Sequence, residues 1–242
     1  MRAFIFPGQG SQAVGMGKVM SEASTAARDV LAEVDEALRQ NLSRLMAEGP
    51  PDELTLTANA QPAIMANAIA TLRASGLDLA AKADFVAGHS LGEYGALCGA
   101  GAFDLATTAR LLRRRGEAMQ AAVPVGEGAM AALLGASLEL ARAVAEAAAQ
   151  GEVCTVANDN DPGQVVISGH RGAIERALDI AREMGAKRAI LLPVSAPFHC
   201  PLMQPAADAM AEALGEVAIA EPAGPAYANV TAAPAGHPEV IR

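Results

Sequence analysis

Residues 85–94 read Phe85-Val86-Ala87-Gly88-His89-Ser90-Leu91-Gly92-Glu93-Tyr94. A short apolar run ends in a glycine, a serine stands two places on, and a second glycine precedes residues compatible with helix. This is the Gly-x-Ser-x-Gly pattern of a nucleophile elbow, whose small flanking residues let the chain turn sharply from strand to helix and lift a serine hydroxyl into a cleft. The competing reading of the same residues is an ordinary tight turn. The strand before the motif and the helical residues after it favour the elbow, which makes Ser90 a candidate nucleophile and points to an α/β fold. His89, inside the turn, reads as structural.

On the N-terminal side, Ala3-Phe4-Ile5-Phe6 reads as a strand stopped by Pro7-Gly8, and Gly15 and Gly17 keep the chain irregular after it. Val30, Leu31, Val34 and Leu38 recur at helical spacing, as do Ile64, Met65, Ala68, Ile69 and Leu72, with Pro62 suited to a first turn. Asp104 can cap a helix carrying Leu105, Leu111, Leu112 and Met119. After a break at Pro124 to Gly128 the rhythm changes. Met130–Leu134 reads as strand, Leu138–Ala148 as helix, Val153–Ala157 and Val165–Ser168 as strands, Ile174–Met184 as helix and Ala189–Val194 as strand. That β-α-β-β-α-β order is the split βαβ unit. We therefore expect a ferredoxin-like subdomain over 125–194, inserted into a larger α/β subdomain formed by 1–124 and 195–242.

Composition narrows the function. The 242 residues are 52% hydrophobic and 19% charged, which excludes a disordered chain. A net charge of −9 with 3% aromatic residues lacks the basic field and stacking groups of a nucleic-acid binder. No run of about 18 uncharged apolar residues suggests a membrane span, and Ala3–Phe6 is too short for the core of a signal peptide. Cys98, Cys154 and Cys200 are odd in number and lack metal-ligand spacing, so a reduced, cytoplasmic protein without a metal site is expected.

A serine nucleophile needs a base. Of the four histidines, His89 is adjacent to Ser90 and awkwardly placed. His170 lies in a Gly169-His170-Arg171-Gly172 turn and His237 in a Pro/Gly-rich stretch. His199 follows a strand where the chain is expected to re-enter the larger subdomain, which makes it the best candidate, with a plain core histidine as the bland alternative. Gly8-Gln9-Gly10-Ser11-Gln12-Ala13 also satisfies the dinucleotide fingerprint Gly-x-Gly-x-x-Gly/Ala. That fingerprint requires a helix at once, whereas Gly15 and Gly17 disfavour one. The alternative is a loop whose backbone N–H groups join that of Leu91 in an oxyanion hole. In Arg113-Arg114-Arg115, successive helical residues point about 100° apart, so at most one or two can face a cleft, and Arg115 precedes a glycine. A solvated basic face is the alternative for this run.

Five segments in order, Phe6-Pro7-Gly8-Gln9-Gly10-Ser11-Gln12, Gly88-His89-Ser90-Leu91-Gly92-Glu93-Tyr94, Arg115-Gly116-Glu117-Ala118-Met119-Gln120, Pro162 to Gly169 and Ala196-Pro197-Phe198-His199, strongly resemble the malonyl-CoA:acyl carrier protein transacylases across the whole chain. The resemblance implies an α/β-hydrolase-like unit with a ferredoxin-like insertion, in agreement with the segmentation. It implies Ser90 as nucleophile, His199 as general base, Arg115 as ligand of the malonyl carboxylate, and the N–H groups of Gln9 and Leu91 as oxyanion donors. Phe198 resembles the malonyl-selecting form of its motif. The implied reaction is ping-pong transfer of malonyl from malonyl-CoA to the phosphopantetheine thiol of acyl carrier protein, for fatty acid synthesis, by an enzyme that is monomeric when full length and needs no cofactor or metal. Family members continue beyond Pro238-Glu239-Val240-Ile241-Arg242, so the resemblance also implies a C-terminally truncated chain that lacks a glutamine carbonyl orienting the histidine.

Two rivals are carried with this reading. A serine esterase would need an acid such as Asp159, Asp161 or Asp179 in Ser…Asp…His order. An inactive fragment would only dock the carrier protein. For docking an acidic carrier, a local basic patch of Arg110, Arg113, Arg114, Lys187 and Arg188 is expected.

Overall fold

A computed structural model describes residues 1–242. In chain order the elements are β1 (Ala3–Phe6), α1 (Lys18–Ala23), α2 (Thr25–Leu38), α3 (Leu42–Glu48), α4 (Pro51–Thr55), α5 (Thr57–Ala74), α6 (Leu79–Lys82), β2 (Phe85–Gly88), α7 (Leu91–Gly99) and α8 (Leu105–Ala122). There follow β3 (Gly128–Leu134), α9 (Leu138–Ala149), β4 (Cys154–Asp161), β5 (Gln164–His170), α10 (Arg171–Glu183), β6 (Arg188–Leu191), a 3-10 turn (Pro201–Met203), α11 (Gln204–Gly215), β7 (Ala226–Ala228), β8 (Ala233–Ala235) and α12 (Pro238–Ile241). The chain divides into two compact units, 1–117 with 210–242, and 118–209.

The first unit is built on a sheet of order β1-β2-β7-β8. β1 and β7 flank β2 in parallel, with Phe6 opposite Gly88, and β8 returns antiparallel to β7. Parallel strands need crossover connections, which is why the elbow strand sits between partners far away in sequence. The apolar faces read from the sequence form the core: Val30, Leu31 and Val34 of α2, Ile64, Met65 and Ile69 of α5, Leu91 and Leu97 of α7, and Leu105, Leu111 and Leu112 of α8 are buried in one cluster with Phe6 and Val86. Local capping sets the helix starts. Ser24 Oγ accepts from the Ala27 N–H ahead of α2, and Asp104 Oδ1 accepts from the Thr107 N–H at 2.6 Å ahead of α8. Pro62 does not open a helix, as its ring geometry suggests; it lies inside α5, which begins at Thr57 because the Leu56 carbonyl receives the N–H groups of Asn59 and Ala60.

The second unit carries the expected βαββαβ order on a fully antiparallel sheet, β4-β5-β3-β6. β5 lies between the two strands of the first βαβ, and β6 adds at the free edge of β3, as a split βαβ requires. Alternation along β3 divides its apolar run between two clusters. Ala129, Ala131 and Leu133 join α9 and α10, while Met130 and Ala132 join Val166, Met119, Val123, Ala196, Phe198, Met203 and Ala206. This second cluster explains why the compact unit is wider than the six elements read from the sequence at 125–194: the segments 118–124 and 195–209 bury their apolar side chains in it. β6 is also shorter than the Ala189–Val194 expected, since its ladder to β3 ends at Leu191 and the chain beyond turns through Pro193.

Candidate active site

The elbow is made by steric necessity. β2 ends at Gly88 and α7 begins at Leu91, so the reversal falls on His89 and Ser90. A Cβ at Gly88 would lie 1.9 Å from the carbonyl carbon of Gly92, and one at Gly92 would lie 2.4 Å from the Phe6 carbonyl oxygen. Only glycine at both positions lets helix, strand and β1 approach this closely. Ser90 takes φ 53 and ψ −110, a conformation that costs an L-residue about 1–3 kcal/mol and persists only where the surroundings enforce it. His89 serves the turn through its backbone: its N–H donates to the Phe6 carbonyl at 3.1 Å and its carbonyl accepts from the Gly92 N–H at 2.9 Å.

Three hydrogen bonds from a residue that sequence reading passed over hold this geometry. Asn229, just beyond β7, accepts the Ser90 N–H on Oδ1 at 2.6 Å and donates Nδ2–H to the Gly88 carbonyl at 2.6 Å. Its own N–H donates to Glu93 Oε2 at 2.9 Å. The Glu93 carboxyl is pushed above the ordinary glutamate value by burial, with the Asn229 N–H and the Arg115 charge pulling the other way. The N–H groups of Ser90 and Glu93 are thereby engaged, the latter with the Ser90 carbonyl at 3.0 Å, and Leu91 lies between them as the first residue of α7.

The three arginines of α8 diverge to three destinations, as their helical spacing demands. Arg113 donates to Asn59 Oδ1 at 2.8 Å and to Gln40 Oε1, tying α8 to α5 and the end of α2. Arg114 pairs with Glu212 at 2.6 Å and Glu216 at 3.8 Å on the partly exposed side. Arg115 reaches the elbow: Nη1 donates to Gln61 Oε1 at 2.8 Å, and Nη2 donates to Ser90 Oγ at 3.0 Å. Its guanidinium carbon also lies 5.8 Å from the centre of the Tyr94 ring, within cation–π range. Burial pulls the Arg115 guanidinium below the ordinary arginine value, against the opposing pull of Tyr94 and Glu93. Gly116 is what lets α8 come this near, since a Cβ there would lie 2.6 Å from Ala58 Cα in α5. Arg113 and Arg114 are thus occupied within the chain, which corrects their place in the expected basic docking patch.

Gln61 is fully buried in α5 and carried no signal in the sequence beyond being a polar residue in an apolar helix, and Asn229, after a three-residue strand, carried none. The residues 8–13 form a loop, with Gly10 at φ 101, and the next helix begins only at Lys18, so the pyrophosphate-binding helix of a dinucleotide site is not formed there. Gln9 in this loop sends its Nε2 to Thr57 Oγ1 at 3.3 Å, beside α5.

His199 belongs to the second unit, on the segment between β6 and the 3-10 turn, and is not at a return into the larger unit as the sequence suggested. Pro197 packs so tightly over β3 that a Cβ at Gly128 would meet its ring at 2.3 Å. Ser195 Oγ donates to Gln120 Oε1 at 2.8 Å, Cys200 Sγ donates to the Pro197 carbonyl at 3.1 Å, and Phe198 is buried. His199 itself takes φ 59, a left-handed conformation uncommon for a residue other than glycine. His170 accepts the Val153 N–H on Nδ1 at 2.9 Å and so serves the fold. Of the acids an esterase triad would require, Asp161 Oδ1 accepts the Gly163 N–H in the β4–β5 turn and Asp179 pairs with Arg182 at 2.6 Å, while Asp159 is an exposed residue of β4. No helix is long and apolar enough to cross a membrane, and no cluster of three or more His, Cys, Asp or Glu side chains could hold a metal ion.

An elbow serine within hydrogen-bond reach of a part-buried guanidinium, in a chain that carries an α/β unit and a split βαβ unit, fits the class of acyl-transfer proteins. The family model described as "Acyl transferase domain" matches residues 3–241, and the chain belongs to this acyl transferase family. It is 48% identical over 234 residues to the malonyl CoA-acyl carrier protein transacylase of Bacillus subtilis strain 168, covering 95% of this chain and 73% of that one. Against the enzyme of the same name from Escherichia coli K12 it is 45% identical over 228 residues, covering 94% and 74%. Among solved structures, the acyl-carrier-protein-S-malonyltransferase of Bartonella henselae superposes with a TM-score of 0.96 at 57% identity, over 100% of this chain and 78% of that one. A malonyl-transacylase solved in complex with its type II PKS acyl-carrier protein superposes at 0.94 with 40% identity, over 99% and 77%.

Proposed function

We propose that this chain transfers a malonyl group from malonyl-CoA to the phosphopantetheine thiol of acyl carrier protein, by way of a malonyl ester on Ser90, supplying malonyl units for fatty acid synthesis. The observation that carries the reading is the 3.0 Å approach of Arg115 Nη2 to Ser90 Oγ, with the other arm of the guanidinium held by Gln61. A planar cation beside the nucleophile matches a substrate bearing a free carboxylate one carbon from its thioester carbonyl, because guanidinium and carboxylate pair in two parallel hydrogen bonds.

In the first half-reaction Ser90 Oγ attacks the thioester carbonyl while His199 accepts the hydroxyl proton as general base. The tetrahedral oxyanion is stabilised by the N–H groups of Gln9 and Leu91, the latter at the positive end of α7. Collapse breaks the C–S bond, and the proton held by His199 goes to the departing CoA thiolate. In the second half-reaction the carrier thiol gives its proton to His199 as it attacks the ester, and the Ser90 alkoxide recovers that proton on leaving. Every step is an acyl or proton transfer, so the reading calls for no metal or organic cofactor. It places a monomeric enzyme in the cytoplasm, in keeping with three free cysteines, two of whose thiols, Cys154 and Cys200, are buried.

Incubation with malonyl-CoA followed by intact-mass measurement tests the proposal. The expected result is the gain of one malonyl group, mapped to the peptide carrying Ser90 and absent from Ser90→Ala. A wild-type protein that never acquires the label overturns it.

A further inference from the structure

The conformation of Ser90 has to be maintained against its own preference, and the groups that do so lie 139 residues away in sequence. Asn229 follows β7, the strand that pairs in parallel with β2, so the sheet itself delivers its side chain to the end of the elbow strand. There the carboxamide spans the turn. Oδ1 takes the Ser90 N–H and Nδ2 donates to the Gly88 carbonyl, both at 2.6 Å, bracketing His89 at the reversal of the chain. The Asn229 backbone is fixed in turn by its N–H bond to Glu93 Oε2, in the first turn of α7. Strand end, nucleophile and first helical turn are thus held by one residue through three bonds.

Two chemical consequences follow. With the Ser90 N–H consumed, the oxyanion cannot be served by the nucleophile's own amide, and the donor on this side of the site becomes the next one, Leu91. A relaxed turn would free the Ser90 amide, swing Oγ away from Arg115 and redirect the Leu91 N–H. We propose that Asn229 is a positioning residue for acyl transfer, holding the elbow so that Ser90 Oγ and the Leu91 N–H point at the same thioester carbonyl. The inference rests on the malonyl transfer to Ser90 proposed above and names the residue that sets its geometry.

Asparagine suits the task because one planar group must accept at one oxygen and donate at one nitrogen. Aspartate keeps the shape and the acceptor but, when ionised, meets the Gly88 carbonyl with a second acceptor and stands close to Glu93. Protonated, it regains a donor. This gives a readout that a merely structural role would not move.

The test is single-turnover acylation by malonyl-CoA, followed by mass, for wild type, Asn229→Ala and Asn229→Asp between pH 5 and 8. At saturating malonyl-CoA, Asn229→Ala is expected to be slower by about a hundredfold, the scale of loss from a misplacement of roughly 1 Å, with half-saturation little changed because Arg115 is untouched. The ratio of the Asn229→Asp rate to the wild-type rate is expected to rise as pH falls. Using the ratio cancels the protonation of His199, which both proteins share. A wild-type rate for Asn229→Ala overturns the proposal. Should that variant fail to fold, an Asn229→Asp ratio that stays flat with pH overturns it equally. If wild type forms no malonyl-Ser90, the transacylase reading falls and this inference with it, a result distinct from either of the others.

Discussion

Arg115 and Ser90, 25 residues apart in sequence, meet through a 3.0 Å hydrogen bond from Nη2 to Oγ. The contact joins the fourth turn of α8 to the mouth of the elbow, and it gives the nucleophile a cationic neighbour that is itself oriented by Gln61. A neutral acyl group gains little from such a neighbour. A malonyl group gains a partner for its charge.

Arg115→Ala should therefore weaken malonyl transfer sharply, by a charge-pair loss of about 2–5 kcal/mol, while acetyl transfer changes little. Steady-state kcat/KM for the two thioesters measures the difference. Arg113→Ala serves as the contrast. It strips partners from Asn59 and Gln40 and should lower stability by about 1–3 kcal/mol with the malonyl-to-acetyl ratio unchanged. Equal losses of both substrates in Arg115→Ala would make that arginine structural.

Ser90→Ala should abolish acyl-enzyme formation and leave the unfolding midpoint near that of wild type, since a part-exposed hydroxyl adds little packing. His199→Ala should still bind malonyl-CoA but acylate roughly 10²–10⁴-fold more slowly, the usual contribution of a general base. An unchanged acylation rate would assign the base elsewhere.

Gly88→Ala tests the steric argument for the elbow. The added methyl would sit 1.9 Å from backbone of Gly92, which no side-chain adjustment relieves. Denaturant unfolding should show a loss at the upper end of the ~1–3 kcal/mol typical of overpacking. Gly10→Ala, where a Cβ meets open space and only φ is strained, should cost less.

Glu93 gives a pH signature. Burial raises its carboxyl pKa in the folded chain, so the folded state binds the proton more readily than the unfolded state, and stability falls as pH rises from the ordinary glutamate value through the raised one. Glu93→Gln cannot ionise and can still accept the Asn229 N–H. Its unfolding midpoint should exceed that of wild type at neutral pH, and the gap should close as pH is lowered through the raised value. A gap independent of pH would show that ionisation of Glu93 costs the fold nothing.

Local chemistry determined what was legible in the sequence. Glycines two places either side of Ser90, apolar residues at helical spacing in α2 and α5, the Asp104 cap and the alternating strands around β3 each depend on neighbours within a few residues, and each took the expected form. The βαββαβ order followed from those short-range signals alone. Where the prediction slipped, a distant group decided: Pro62 lies inside α5 because the helix starts on the Leu56 carbonyl, and the chain around His199 joins the second unit because Ala196, Phe198 and Met203 find their apolar partners on the far face of β3. The sequence singled out Arg115, beside Gly116, but only the tertiary structure shows it reaching Ser90, Gln61 steering it and Asn229 clamping the elbow. Those contacts span 54 and 139 residues. Helical periodicity states that the arginines diverge but not toward what, and a lone asparagine after a three-residue strand carries no pattern. Its role exists because parallel pairing of β7 with β2 brings one particular carboxamide to the end of the strand where the chain must turn.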